Sequence, residues 1–138
     1  MYKRTTEVLP LLETMEPYLP IEGFDPEEWL NDENNIALTN GEGDFALFEY
    51  EYLGVYSGHY FYKARGKKAL QASKEFLKHL FTNYYVRAIR GLSPLEHLGA
   101  RWLNKQLGFK SYGILETPVG PHELVILTKQ EWEAFTNE

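Results

Sequence analysis

The 138 residues carry 14 lysines and arginines against 20 aspartates and glutamates, which gives a formal net charge of −6, and they include no cysteine. This length suits one globular domain, and the 43% hydrophobic residues supply a core that a disordered chain lacks. The missing cysteines exclude disulfides, thiolate metal sites and a cysteine nucleophile, while the acidic balance disfavours nucleic-acid binding.

The sequence shows no signal-peptide core, no apolar run of membrane-spanning length, no linker and no internal repeat. We therefore expect a single domain over residues 1–138, located in the cytoplasm and without a membrane partner. The four histidines, at positions 59, 79, 97 and 122, lack paired metal-ligand spacing, so we expect no metal.

The first half of the chain predicts two helices and then three strands. A first helix is expected over Thr6–Leu19, and its apolar residues at helical spacing should face the core: Val8, Leu9, Leu12, Met15 and Leu19. Asp25-Pro26-Glu27-Glu28 predicts the capped start of a short helix. Strands are expected at Asn35–Thr39, Phe45–Tyr50 and Val55–Tyr62, and the first two are joined by the tight turn Asn40-Gly41-Glu42-Gly43.

The second half alternates helices with strands. A helix from about Lys67 to Phe81 should bury the stripe Ala69, Ala72, Phe76, Leu77 and Leu80, and a strand is expected at Tyr85–Ile89. Ser93-Pro94-Leu95-Glu96 resembles a capping box that begins the next helix, which stops at Gly108-Phe109. Strands at Ser111–Glu116 and Glu123–Leu127 precede a terminal helix capped by Thr128. The predicted fold class is α/β (α+β), with a central mixed, mostly antiparallel sheet of about six strands flanked by helices.

This order of elements and two local motifs resemble the GNAT acetyltransferase superfamily. Arg65-Gly66-Lys67-Lys68-Ala69 looks like the family's pyrophosphate loop, and the helix that closes on Leu107-Gly108-Phe109 looks like its second hallmark. Gly58-His59-Tyr60-Phe61, followed by the basic loop, is similar to short GNAT-like proteins of tailed phages, some of which are described as head assembly proteins.

The resemblance implies acetyl-CoA as co-substrate. Unpaired amides in the first turn of a helix favour an anion, so Arg65 to Ala69 are placed to hold the pyrophosphate, with Gly66 allowing close approach and Arg65, Lys67 and Lys68 adding charge. The same residues also fit an ordinary basic turn on a solvated helix. In the family, strand amides near Phe61, Tyr62 and Lys63 would meet the thioester carbonyl, and His97 stands where an asparagine usually contacts the cofactor.

Acyl transfer to an amine needs a base for the amine proton and an acid for the departing thiolate. Glu49 and His59 are the catalytic candidates for the base, with Glu51 as a further alternative; an exposed carboxylate and a packing histidine are the ordinary explanations. The tyrosine that many relatives use as the acid is replaced by Asn104, which leaves Tyr112 or Tyr62 as substitutes.

Two functions fit these observations. The first is an acetyl-CoA-dependent N-acetyltransferase that transfers an acyl group to an amine, and the acidic field favours a cationic acceptor. The alternative is a catalytically silent GNAT-fold phage protein that serves as a virion-assembly or binding module in the host cytoplasm. Its partner would be a phage structural protein or a second copy of the chain as a homodimer. Loss of the tyrosine and the glycine-poor loop favour this alternative.

Overall fold

A computed structural model describes residues 1–19, 21 and 23–137. The strands are β1 (Lys3–Arg4), β2 (Ile36–Thr39), β3 (Phe45–Tyr52), β4 (Val55–Phe61), β5 (Ala88–Pro94), β6 (Lys110–Thr117) and β7 (Gly120–Thr128). The helices are α1 (Val8–Met15), α2 (Pro26–Asn31), α3 (Lys67–Asn83), α4 (Leu98–Gln106) and α5 (Lys129–Thr136), and a 3-10 turn spans Glu16–Tyr18. Within the described ranges, no helix is long and apolar enough to cross a membrane.

The strands form one sheet in the order β1-β2-β3-β4-β5-β7-β6. Every neighbouring pair is antiparallel except β4 and β5, which run parallel. This mixed, mostly antiparallel sheet flanked by helices confirms the predicted fold class. The additional strand is β1, whose two residues are too few to show a hydrophobic pattern in the sequence.

One face of the sheet is covered by α1 and α2. Leu11, Met15 and Leu30 pack there against Phe45 and Leu47 of β3. The prediction of which α1 residues face inward was partly wrong, because Leu9 is 79% exposed and Leu11 is fully buried instead. The α-helix ends at Met15 and continues as the 3-10 turn, so the helical period that was assumed through Leu19 does not hold to its end.

The other face is covered by α3 and holds the larger core. The predicted stripe of α3 is confirmed, since each of its five residues is buried: Ala69, Ala72, Phe76, Leu77 and Leu80. These side chains pack against Phe48 of β3 and Ile89 of β5 within one cluster. Strands β3 and β4 are therefore covered on both faces, which fixes the position of the loop that joins β4 to α3.

The boundary between β5 and α4 differs from the prediction. Ser93 and Pro94 belong to β5, where they pair with Glu123 and His122 of β7, and α4 begins only after His97. Pairing with β7 extends the strand through the apparent capping box, because a continuous ladder satisfies more backbone groups than a local cap. The strand predicted at Tyr85–Ile89 also starts later than predicted, at Ala88, and it ends at Pro94.

The C-terminal end of α4 and the N-terminal end of α5 are formed as the sequence predicts. Gly108 adopts a φ of +90° after α4, and the Phe109 amide donates to the Asn104 carbonyl over 3.0 Å. This is the left-handed stop that glycine provides most easily. At α5, Thr128 and Glu131 form the reciprocal capping box. The C-terminal end of α4 and the start of α5 are thus fixed by residues that the sequence identifies.

Candidate functional site

The central feature of the sheet is a fork between β4 and β5. The two strands pair at only three positions, and the last of these joins Ser57 to Arg90. Beyond it, β4 stays paired with β3 as far as Phe61, while β5 stays paired with β7 as far as Pro94. The facing edges of the two strands therefore separate and leave a cleft of about 580 Å³.

The cleft is bordered by the fork strands, the start of α3 and the inner side of α4. Its backbone edges matter because β4 from Gly58 to Phe61 has a strand partner on one side only. An unpaired strand edge presents N–H and C=O groups that can bind an extended ligand. The fold therefore provides a polar edge inside a cavity lined mainly by apolar and aromatic residues.

The loop that leads from β4 to α3 is held in one conformation by a buried carboxylate. One oxygen of Asp44 accepts from the amides of Lys63 and Ala64 at 2.8 and 3.0 Å, and its other oxygen accepts from the Asn40 side chain. Arg65 adds a clamp, because its guanidinium donates to the carbonyls of Tyr62 and Ala64. Sequence reasoning missed Asp44; the only signal was an acid directly after the Gly41–Gly43 turn.

The N-terminus of α3 opens onto the cleft without a side-chain cap. Its N-cap is Gly66, at φ +57° and ψ −128°, a conformation that glycine tolerates and other residues avoid. Neither a capping side chain nor a first-turn acid is present among the described residues. The first-turn amides, with the positive end of the helix dipole, are therefore available to an anion.

The predicted site residues divide into two groups. Seven of them border the cleft: His59, Phe61, Tyr62, Arg65, Gly66, Ala69 and His97. Four lie outside it: Glu49, Lys63, Lys67 and Lys68. The Lys63 amide was expected to meet the thioester carbonyl, but it already donates to Asp44, which corrects that expectation. The Lys63 Nζ atom donates to Glu13 over 3.1 Å.

His97 occupies the N-cap of α4 and not the interior of its first turn. Its Nδ1 accepts from the Ala100 amide over 3.3 Å, so this ring nitrogen serves as the cap. His97 also borders the cleft, so its ring can contact a ligand bound there. Asn104, on the same helix, donates to the Ser93 hydroxyl over 3.0 Å, and both residues border the cleft. The sequence does not indicate this pair, because Ser93-Pro94-Leu95-Glu96 resembles a helix cap.

A second polar group lies where the fork meets the face of the sheet that carries α1 and α2. His59 Nε2 is 4.0 Å from Glu49 Oε1, and Trp29 donates its indole N–H to Glu49 over 3.4 Å. Burial lowers the pKa of His59, and the negative charges of Glu49 and Glu51 partly oppose that effect. The imidazole is therefore neutral at neutral pH and can accept a proton.

Glu51 of β3 and Arg90 of β5 extend this polar group across the sheet. Ser57 donates to Glu51 through a short hydrogen bond, and an Arg90 terminal nitrogen lies 3.9 Å from the same carboxylate oxygen. Sequence reasoning missed Arg90, whose position follows from the last paired residues of the fork. Among the described residues, no cluster of three or more histidine, aspartate or glutamate side chains could hold a metal ion.

No family model matches the chain, and no curated protein matches it. Several solved structures, however, match the chain. A mutant form of the spermidine/spermine N-acetyltransferase SpeG from Vibrio cholerae superposes with a TM-score of 0.77 at 14% identity, covering 99% of this chain and 97% of that one. RimJ from Mycobacterium smegmatis, in complex with CoA-disulfide, gives a TM-score of 0.66 at 17% identity, with 88% and 75% covered.

The third comparison is with the aminoglycoside acetyltransferase AAC(6')-Ib in complex with coenzyme A and kanamycin. It gives a TM-score of 0.61 at 21% identity, and the alignment covers 81% of this chain and 80% of the other. These identities are too low to carry an activity across, but the likeness extends over most of both chains in each case. The chain therefore has the GNAT fold.

Proposed function

We propose that this chain, with its GNAT fold, is an acetyl-CoA-dependent N-acetyltransferase that transfers the acyl group to an amine. The observation that carries the proposal is the cleft of about 580 Å³ between the diverging β4 and β5, which ends at the uncapped start of α3. The neighbours support it, since their names describe acetyltransferases and two of them were solved with forms of coenzyme A.

The residues around the cleft fit such a ligand. First-turn amides after Gly66 would hold the pyrophosphate, because they offer both unpaired donors and the positive end of a helix dipole. Lys67 and Lys68, which replace glycines expected from the resemblance, are exposed and do not border the cleft, so their side chains add charge without filling it. The free edge of β4 near Phe61 would bind the extended arm.

Acetyl-CoA supplies an activated acyl group as a thioester. The protein's own part is to position the acceptor and remove its proton. His59 borders the cleft as a neutral imidazole at neutral pH, so we assign it the role of base, with Glu49 favouring the imidazolium that forms. Glu49 itself lies outside the cleft, which makes it the supporting carboxylate and not the base.

The acceptor that fits this surface is a cationic amine. Glu49 and Glu51 of β3 both lie on one side of His59, and Glu51 is also close to Arg90. Carboxylates next to the base attract an ammonium group and raise its local concentration. Spermidine and aminoglycosides, which appear in the names of the neighbours, are amines of this kind. We propose that a polycationic amine is accepted on this side.

A second function is favoured by one observation. Asn104 occupies the position of the tyrosine acid that the resemblance implies, and it is engaged with Ser93. Neither substitute fits, because the Tyr62 hydroxyl is buried against Ser73 at 2.7 Å and Tyr112 lies on β6 and does not border the cleft. A protein without that acid could bind the ligand without turnover. As the alternative we propose the catalytically silent GNAT-fold phage protein, a virion-assembly or binding module in the host cytoplasm, with a phage structural protein or a second copy of the chain as its partner.

Release of free thiol from acetyl-CoA separates the two functions. Because the chain has no cysteine, every thiol detected by a colorimetric reagent comes from coenzyme A. With spermidine or kanamycin as acceptor, we expect continuous thiol release that depends on protein concentration. Binding of acetyl-CoA without any release, across a panel of primary amines, would instead support the silent module.

A further inference from the structure

One tyrosine at the fork has a buried hydroxyl without a hydrogen-bond partner. The Tyr60 oxygen is buried and has no hydrogen-bond partner among the described residues. Tyr62, the first residue after β4, is also buried, but its hydroxyl is paired with Ser73. Buried hydroxyls almost always have partners, because an unpaired one loses its hydrogen bonds to water without compensation. The Tyr60 hydroxyl is therefore able to donate a hydrogen bond to a ligand.

The location of this hydroxyl is the apex of the fork. A Cβ atom placed on Gly58 would lie 3.3 Å from the Tyr60 oxygen and 3.1 Å from Ile89 Cγ2. Gly58 is the first residue of β4 after the last pair with β5, so the oxygen lies where the two strands separate. Tyr60, Gly58 and Ile89 all border the cleft. A ligand that fills the cleft toward the apex ends beside this hydroxyl.

The chemistry of the group is that of a hydrogen-bond donor. Burial raises the pKa of Tyr60, so the phenol keeps its proton over the whole pH range in which proteins work. The ring is held by edge contact with Phe48, at 5.9 Å between centroids, and by contact with Tyr62. A protonated phenol on a packed ring is suited to donating to a carbonyl oxygen and not to transferring its proton.

We propose that the Tyr60 hydroxyl donates a hydrogen bond to the thioester carbonyl of the bound acyl group. This inference rests on the proposed function, since it needs an acyl thioester in the cleft. The oxygen is buried at the apex of the fork, beside residues that border the cleft, so the hydrogen bond forms where the acyl end of the ligand reaches that apex. The hydrogen bond then relieves the unfavourable burial of an unpaired donor.

The test compares acetyl-CoA with coenzyme A, which lacks the carbonyl. Tyr60→Phe keeps the ring and removes the hydroxyl. We expect its Kd for acetyl-CoA to rise about tenfold, the factor that corresponds to roughly 1.4 kcal/mol, while its Kd for coenzyme A stays within about twofold of wild type. The unfolding temperature of the free variant should be unchanged or higher, because an unpaired buried group is removed. Calorimetric titration and thermal unfolding give these readouts.

Tyr56→Phe is the matched control on the same face of β4. Tyr56 is buried but does not border the cleft, so removal of its hydroxyl should leave the ratio of the two Kd values unchanged. Equal affinity of Tyr60→Phe and wild type for acetyl-CoA overturns the inference, as does an equal loss for both ligands. If the wild-type protein binds neither compound, the proposed function itself is overturned and the hydroxyl has no acyl partner.

Discussion

Replacing His59 by glutamine is expected to lower the rate of thiol release about 10²- to 10⁴-fold, the usual contribution of a positioned base. Glutamine can still form hydrogen bonds but cannot take up the proton of the acceptor ammonium. Because His59 is half exposed, the change should leave the fold and the Kd for acetyl-CoA close to those of wild type. Steady-state rates with spermidine and a calorimetric Kd measure the two effects separately.

The pH dependence identifies the base more directly. Burial places the pKa of His59 below its usual value of 6.5, so the neutral, active form accumulates as the pH rises through that lowered value. For the wild type, kcat/KM should therefore rise with pH on the acid side and become level by about pH 7. The residual activity of His59→Gln should lack this limb. His79→Gln, on α3 away from the cleft, serves as the control and should behave as wild type.

Replacing Gly99 by tryptophan is expected to weaken acetyl-CoA binding about 100-fold or more without unfolding the protein. Gly99 borders the cleft from the first turn of α4, and an added Cβ there meets no atom within 4 Å. An indole at this position occupies the space that the ligand needs, while the helix tolerates it better than glycine. Calorimetric titration gives the affinity, and thermal unfolding shows whether the fold is retained.

Gly99→Ala is the matched control for the tryptophan variant. It gains about 0.5–1 kcal/mol of helix propensity and adds only one methyl group to open space. We expect an unfolding temperature at or above that of wild type and an unchanged affinity for acetyl-CoA. Wild-type affinity in the tryptophan variant would show that the ligand lies elsewhere than in the fork.

Sequence patterns predicted the features that depend on helical spacing or on residues close together in the chain. The α3 stripe around Phe76 follows from helical spacing, and the ends of α4 and α5 follow from Gly108 and Thr128, which act on their own neighbours. The errors came from distant contacts. Ser93 and Pro94 resemble a cap only until β7 is known to lie beside them. The same holds for Leu9 and Leu11, since only the position of the sheet decides which side of α1 is buried.

The candidate site likewise has a part that is contiguous in the sequence and parts that depend on contacts between distant residues. The loop from Arg65 to Ala69 is contiguous and was predicted from its residues, whereas the fork depends on where β4 and β5 stop pairing, which the sequence does not encode locally. Asp44 and Arg90 reach the site through tertiary contacts with the loop and with Glu51. Tyr60 was one aromatic residue among many until its hydroxyl proved to be unpaired.

The central claim is that the fork and the start of α3 together hold an acyl-CoA. Calorimetric titration of the wild-type protein with acetyl-CoA tests it without any assumption about the acceptor. We expect saturable binding of one ligand per chain, with a Kd between about 1 μM and 1 mM, the range in which enzymes commonly bind their substrates. Absence of any binding heat at millimolar acetyl-CoA, repeated at two temperatures, would contradict the claim.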